Sequence, residues 1–267
     1  MRAAVLGKPI SHSLSPILHT AGYRELGLSH SYEAIEVAED EFVEFVAHID
    51  DTWMGLSLTM PLKVVATQVA EHIAPVAQLT GSINTLVNAK SIVGYNTDVY
   101  GIVTAINEFG MSQARNCTII GSGATARSAI AASFELGVTH INLVARNSDA
   151  IAHCDAIATE LGITLTSSLV DESHLSETEL VINTTPRGVA DAFANNISHV
   201  SGLLLDVVYD PWPTPFAKSW EQHGGQTCPG YVMLLHQACA QFELFTGETA
   251  PVEAMRSAMM AEIVSRN

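Results

Sequence analysis

The strongest constraint on how this chain folds is an alternation that runs almost its whole length. Short apolar runs rich in β-branched residues are separated by stretches with helical periodicity. "AAVLG", "SYEAIEV", "WMGLSL" and "NTLVNA" read as strands. Between them, "EDEFVEFVAHI" carries Phe42, Phe45, Val46 and Ile49 at helical spacing, one apolar face on an acidic segment. A second series begins near Asn116: strand "CTIIG", helix "TARSAIAASFELG", strand "INLVA", helix "SDAIAHCDAIATELG", then strands in "ELVINTT" and "GLLLDVVY". Near-continuous apolar strands that alternate with helices belong in parallel sheets covered by helices on both faces, so the fold class is α/β. A chain of 267 residues has room for two such domains, and two βα series followed by a helical tail from Tyr231 match that number.

Charge narrows the partners. The 28 acidic residues outnumber the 12 basic ones, and the net charge of −16 argues against nucleic-acid or anionic-membrane partners. Any anionic ligand must then be held by local positive charge or helix N-termini. Cys117, Cys154, Cys228 and Cys239 are scattered, with no ligand spacing, so neither a disulfide framework nor a metal site is expected. With no leader-like N-terminus and no membrane-length apolar run, the expected compartment is cytoplasmic.

After strand "CTIIG" comes "GSGATAR", in which Gly121, Ser122, Gly123, Ala124, Thr125 and Ala126 read Gly-x-Gly-x-x-Ala between a strand and a helix. That is the context of a dinucleotide-binding turn. Gly121 permits the tight turn, Gly123 lets backbone amides approach a pyrophosphate, and Ala126 keeps helix against strand. An ordinary βαβ turn of small residues has the same look, so the end of the next strand is more telling. There the carboxylate that would hold a ribose diol is missing, and "INLVARNSD" offers Arg146 with Asn147 and Ser148 behind it. A guanidinium suits a ribose 2′-phosphate, which favours NADP(H) over NAD(H).

Other segments are more polar than a core needs. "PISHSLSPILH" gathers Ser11, Ser13 and Ser15 where the first strand gives way to the first helix. Ser15 before Pro16 reads as a helix N-cap, and with Ser13 it also offers hydroxyls to an oxygen-rich ligand. "SLTMPLK" starts a helix with Pro61 in its first turn and puts Lys63, one of four lysines, one helical turn after Thr59. "TGSINTL" places Asn84 before a strand, and "GYNTDVYG" ends one at Asn96, Thr97 and Asp98, the last again an N-cap pattern. "PGYVMLLHQACAQ" sets Met233 and Gln237 on one helix face and Leu234, Leu235, Ala238 and Phe242 on the other. His12 and His19 read as structural hydrogen-bonders rather than catalysts.

Together, "GKPISHSLSP", "LTMPLK", "GSINTL", "NTD", "GSGATAR", "NTTPRG", "VVYDPWPTP" and "MLLHQA" resemble the shikimate dehydrogenases, in the order that family shows and over nearly the whole chain. The resemblance implies two α/β domains: a substrate domain with a mainly parallel sheet from residues 1–98 and 231–267, and a Rossmann-type NADP-binding domain, 99–230, inserted into it. It implies reversible NADPH-dependent reduction of 3-dehydroshikimate to shikimate, a step toward chorismate and the aromatic amino acids, by a monomer or homodimer acting on a small molecule. Ser13 and Ser15 match positions that hold the substrate carboxylate, with Thr59 and Tyr209 nearby. Lys63, Asn84, Asp98 and Gln237 match those that hold ring hydroxyls, Lys63 and Asp98 match the catalytic pair, and Gly230 and Met233 match positions beside the nicotinamide. A lysine ammonium can protonate a developing alkoxide while a carboxylate pairs with it. The chain departs from the common pattern at Ser57, where Asn is usual, at Thr20, where Asn is common, and at a phosphate site with one arginine instead of two. An NAD-linked quinate/shikimate dehydrogenase, a paralogue acting on another small acid and a non-catalytic NADP-binding regulator are the alternatives. Arg146 speaks against the first, the intact Lys63/Asp98 pair against the last. A charge-assisted contact from Arg146 is worth roughly 1.5–3 kcal/mol, so kcat/KM with NADP+ should exceed that with NAD+ by about 10- to 150-fold; equal values in parallel assays would rule out the cofactor assignment.

Overall fold

The apolar runs assemble into two six-stranded sheets, seen in a computed structural model that describes residues 1–169, 175–195 and 197–266. Contacts divide the chain into two units, Met1–Asp98 with Leu235–Asn267, and Val99–Leu234. Helices α5 (Asp98–Glu108) and α9 (Gly230–Thr246) carry the chain from one unit to the other.

The first unit holds strands β1 (Arg2–Gly7), β2 (Ser31–Glu36), β3 (Trp53–Leu58), β4 (His72–Ile73), β5 (Thr85–Asn88) and β6 (Ile92–Tyr95), in the order β2-β1-β3-β5-β6-β4. Its helices are α1 (Ser15–Glu25), α2 (Phe42–Ala47), α3 (Leu62–Val65), α4 (Pro75–Thr80) and α10 (Val252–Arg266). Strand β3 is buried at every position, as its unbroken apolar run requires. The sheet is mixed, because β5 runs antiparallel to both β3 and β6. Only Ala89, Lys90 and Ser91 separate β5 from β6, too short a link for the crossover that parallel strands need. Helix α2 is shorter than its periodicity predicts, yet Phe42 and Val46 are buried, and Phe45 and Ile49 pack on the same core.

Two capping expectations are corrected. Helix α1 begins at Ser15 with Leu14 at the N-cap, and it is Ser13 Oγ that accepts from the Ser15 amide, at 3.3 Å. No side chain caps α1 at Leu14; Ser13 makes only a local bond to the Ser15 amide, and Ser15 keeps its hydroxyl for other partners. At α5, Asn96 Oδ1 accepts from the Asp98 amide at 3.0 Å, while Asp98 turns its carboxylate elsewhere. Pro61 likewise stands at the N-cap of α3 and not inside its first turn.

The second unit holds β7 (Asn116–Ile120), β8 (His140–Val144), β9 (Thr164–Ser168), β10 (Leu180–Asn183), β11 (Leu203–Asp206) and β12 (Gln226–Pro229), with α6 (Ala124–Glu135), α7 (Ser148–Glu160) and α8 (Pro215–Gln222). All its pairings are parallel, in the order β12-β11-β10-β7-β8-β9. The direction of winding reverses between β7 and β10, the switch point where open α/β sheets take ligands. Among the described residues no helix is long and apolar enough to cross a membrane, and no cluster of His, Cys, Asp or Glu could hold a metal ion.

His19 belongs to the core of the first unit as a stacked ring and not as a hydrogen-bonder. It is fully buried, lies flat on Tyr32 with centroids 4.0 Å apart, and is flanked by Phe242 and Phe245 of α9. Neither ring nitrogen makes a hydrogen bond of good geometry among the described residues. Burial pushes its pKa from 6.5 down to about 3, and an interaction with Gln241 offsets this only in part. Between those values the unfolded chain binds a proton at this site and the folded one does not, so stability falls as pH drops from 6.5 toward 3. Urea unfolding at pH 6 and pH 5 should show the native protein losing about 1 kcal/mol more over that step than His19→Phe, in which the slope from this site is gone.

Candidate active site

Strand β3 ends at Leu58, and Thr59, Met60 and Pro61 turn the chain into α3, whose second residue is Lys63. The Lys63 ammonium reaches Asp98, the first residue of α5, at 2.5 Å from Nζ to Oδ2. The lysine side chain is 14% exposed and the carboxylate 4%, so the pair presents its cationic end to solvent and keeps the anion behind. Asp98 Oδ1 accepts from Asn84 Nδ2 at 2.9 Å. The same Nδ2 reaches Thr97 Oγ1 at 2.8 Å and Gln237 Oε1 at 3.4 Å. Four residues distant in sequence, Lys63, Asn84, Asp98 and Gln237, thus form one hydrogen-bonded cluster within one unit. An ammonium with a carboxylate fixed behind it can give a proton to an oxygen placed in front.

The serines stand at the start of α1. The amides of that first turn are largely spoken for: Ser15 N–H goes to Ser13 Oγ, Pro16 has none, and Ile17 N–H goes to the Leu14 carbonyl at 3.1 Å. What remains for a ligand is the half-buried Ser13 hydroxyl, which accepts through its oxygen and keeps its proton to donate. Ser15 is 5% exposed and interacts with the Tyr32 hydroxyl. The backbone pairing of β1 with β3 continues past both strands, with Thr59 N–H on the Leu6 carbonyl at 2.9 Å and Lys8 N–H on the Met60 carbonyl at 3.0 Å. This brings Thr59 beside the chain that leads into the serine loop. Tyr209 lies in the second unit, beyond the end of β11.

In the second unit, Gly121 follows β7 with φ +107°, a left-handed conformation, and a Cβ there would come within 2.6 Å of Thr184 Oγ1. Gly123 is the N-cap of α6, no side chain caps that helix, and a Cβ there would meet no protein atom within 4 Å among the described residues. The two glycines therefore leave a turn of open backbone amides in front of a helix N-terminus, a cradle that fits an anionic dinucleotide. A cleft of about 260 Å³ adjoins it, lined by Gly121, Ser122, Val144, Arg146, Asn147 and Thr185 among others. Ala126 is fully buried, while Arg146 is exposed at the cleft edge. Asn147 has a structural duty as well, because its Oδ1 caps α7 by accepting from Ala150 N–H at 2.9 Å. Gly230 is required by close packing, since a Cβ would collide with the Val207 carbonyl, and Met233 is buried.

Residues 5–86 match the family model "Shikimate dehydrogenase substrate binding domain", and residues 230–260 match "Shikimate 5'-dehydrogenase C-terminal domain". The chain is 32% identical to the shikimate dehydrogenase (NADP(+)) of Citrifermentans bemidjiense, over 98% of this chain and 96% of that one. The chain belongs to the shikimate dehydrogenase family. The crystal structure of Mycobacterium tuberculosis shikimate dehydrogenase superposes with a TM-score of 0.90 at 40% identity, covering 98% of this chain and 99% of that one. The Thermus thermophilus enzyme, solved in complex with NADP(H) and shikimate, gives a TM-score of 0.86 at 28% identity, covering 98% and 99%.

Family membership sharpens the departures. Ser57, where the family commonly carries Asn, is 3% exposed, accepts from the Tyr32 hydroxyl at 2.6 Å and donates to Gln241 Oε1 at 2.8 Å. Gln241 and Thr85 were not singled out from the sequence, although Gln241 bonds to the Asn84 carbonyl and Thr85 to Asn84 Oδ1; Thr97, noted only as part of a polar stretch, bonds to Asn84 as well. Gln241 had a signal: it follows Gln237 at one helical turn, on the stripe that already carried Met233. Gly121→Ala should destabilise the second unit by about 1–3 kcal/mol, through both the left-handed φ and the clash with Thr184, as read by chemical denaturation.

Proposed function

We propose that this protein catalyses the reversible NADPH-dependent reduction of 3-dehydroshikimate to shikimate. The observation that carries this reading is the Lys63–Asp98 ion pair braced by Asn84 and Gln237, on a chain of this family. NADPH, when bound, supplies the hydride that reduces the substrate's C3 carbonyl. The Lys63 ammonium donates a proton to the oxygen that becomes the C3 hydroxyl and recovers one from solvent, to which it is partly open. Asp98 stays ionised, holds the ammonium in place and accepts from a ring hydroxyl. Asn84 and Gln237 orient the ring through its hydroxyls, and Ser13, Ser15, Thr59 and Tyr209 hold the carboxylate. Amides of the turn from Gly121 to Ala126 hold the pyrophosphate, Arg146 and Asn147 the 2′-phosphate, and Gly230 and Met233 border the nicotinamide.

In the reverse direction the neutral amine of Lys63 takes the hydroxyl proton as hydride leaves C3, so atoms and charge balance both ways. The reading is tested by following NADP+ reduction with shikimate and with quinate in parallel; turnover of shikimate is expected, and its absence would sink the assignment. Lys63→Ala should lower kcat by about 10²- to 10⁴-fold with a far smaller change in KM, whereas a kcat that survives would make Lys63 a binding residue only.

A further inference from the structure

Which end of a buried amide faces its neighbour follows from groups that can only donate or only accept. Two backbone groups supply such anchors around Asn84. The Thr97 N–H, a donor only, lies 2.8 Å from Asn84 Oδ1, so Nδ2 must be the end that faces Asp98. The Asn84 carbonyl, an acceptor only, lies 3.0 Å from Gln241 Nε2, so Gln241 Oε1 must face Ser57 and receive its proton. The same Gln241 Nε2 donates to Thr85 Oγ1 at 2.9 Å. The Thr85 hydroxyl, accepting there, has its single proton left for Asn84 Oδ1 at 2.8 Å. Every polarity in the chain from Tyr32 through Ser57, Gln241, Thr85 and Asn84 to Asp98 is thereby fixed in one sense. Gln241 is 1% exposed, Thr85 0% and Asn84 1%, so water offers none of them a substitute.

We propose that Gln241 and Thr85 are positioning residues, which hold the Asn84 amide with its N–H toward Asp98 and so fix the carboxylate that carries Lys63. Thr97 N–H holds Asn84 Oδ1 from one side, and the Thr85 hydroxyl, itself oriented by Gln241, holds it from the other. Were the amide to turn over, its oxygen would face the Asp98 carboxylate and its NH2 would face the Thr97 N–H, two repulsive contacts in a site closed to solvent. The Gln241 amide is thus a brace that reaches the reacting groups only through Asn84. This rests on the proposed shikimate dehydrogenase reaction for its kinetic readout, but its spectroscopic readout does not.

The test compares the native protein with Thr85→Val, Thr85→Ser, Asn84→Ala and the double variant Asn84→Ala/Thr85→Val, by shikimate oxidation with NADP+ and by the side-chain NH2 resonances of ¹⁵N-asparagine-labelled protein. Thr85→Val, nearly isosteric, should lower kcat by about 10-fold, the worth of one buried hydrogen bond, with a smaller change in KM. It should also move the Asn84 NH2 resonances, while Thr85→Ser restores both. In the Asn84→Ala background the same change should cost nothing further, because the hydroxyl then has no amide to hold. Additive losses in the double variant, or unmoved Asn84 resonances in folded Thr85→Val, would overturn the proposal. If Thr85→Val does not fold, Gln241→Met takes its place in both measurements, and the same results support or overturn the proposal. If the native protein fails to oxidise shikimate, the functional reading falls by itself, and the Asn84 resonances still decide the positioning role.

Discussion

One buried carboxylate, Asp98, sets the terms for the whole first unit. Taking such a charge out of water costs several kcal/mol, and it is tolerated only where partners compensate it. Here they come from two separate stretches, the Lys63 ammonium from α3 and the Asn84 amide ahead of β5, while Asn96 Oδ1 accepts from the Asp98 backbone N–H and fixes the turn. Placement at the first position of α5 adds the favourable end of the helix dipole. Loss of either partner would leave the charge under-compensated, so the contacts that hold Lys63 against Asp98 are also contacts that hold the core together. That coincidence explains why a site residue like Asn84 can be almost completely buried.

The same logic extends outward from Asp98. Ser15 interacts with Tyr32, whose hydroxyl donates to Ser57, which donates to Gln241, which braces Asn84. Ser15 and the ion pair are therefore parts of one network of side chains. Its far end is stiffened by aromatic packing, with the imidazole of His19 stacked flat against the Tyr32 ring. A histidine kept neutral by burial serves here as a flat partner to the Tyr32 ring.

How much of this could be read in advance depends on whether the signal was local. The second unit was legible because its inner strands β7, β8, β10 and β11 are apolar runs, and the glycine turn follows the first of them directly. The first unit was less so. The antiparallel β5 shows no mark of direction in its own residues, only in the short link to β6. The edge strands β9 and β12 carry too few apolar residues to stand out. Ser15 looked like the cap of α1 because Ser-Pro is a common helix start, but the helix already includes Ser15, whose own amide goes to the Ser13 hydroxyl. Lys63, Asn84, Asp98 and Gln237 were visible through motifs, whereas Thr85 and Gln241 were hidden because their meaning lies in hydrogen-bond polarity, which appears only once distant segments meet.

A chain with net charge −16 that takes anionic ligands poses an electrostatic problem, and the two units resolve it differently. At physiological ionic strength charges farther than about 8 Å apart are largely screened, so the acidic surface at large matters less than the few groups lining each site. In the second unit those groups are an exposed guanidinium at the cleft edge and a turn of open amides, which act through fixed charge and dipole. In the first unit two cations near the site are already engaged: Lys63 pairs with Asp98, and Arg266, which donates to the His12 carbonyl beside Ser13 at 2.9 Å, also pairs with Glu262, while the amides at the start of α1 are mostly used up. A serine hydroxyl such as that of Ser13 is instead a directional donor with no net charge. Such donors discriminate by geometry and not by charge, so a site built this way can refuse other anions that the protein's few cations would attract equally.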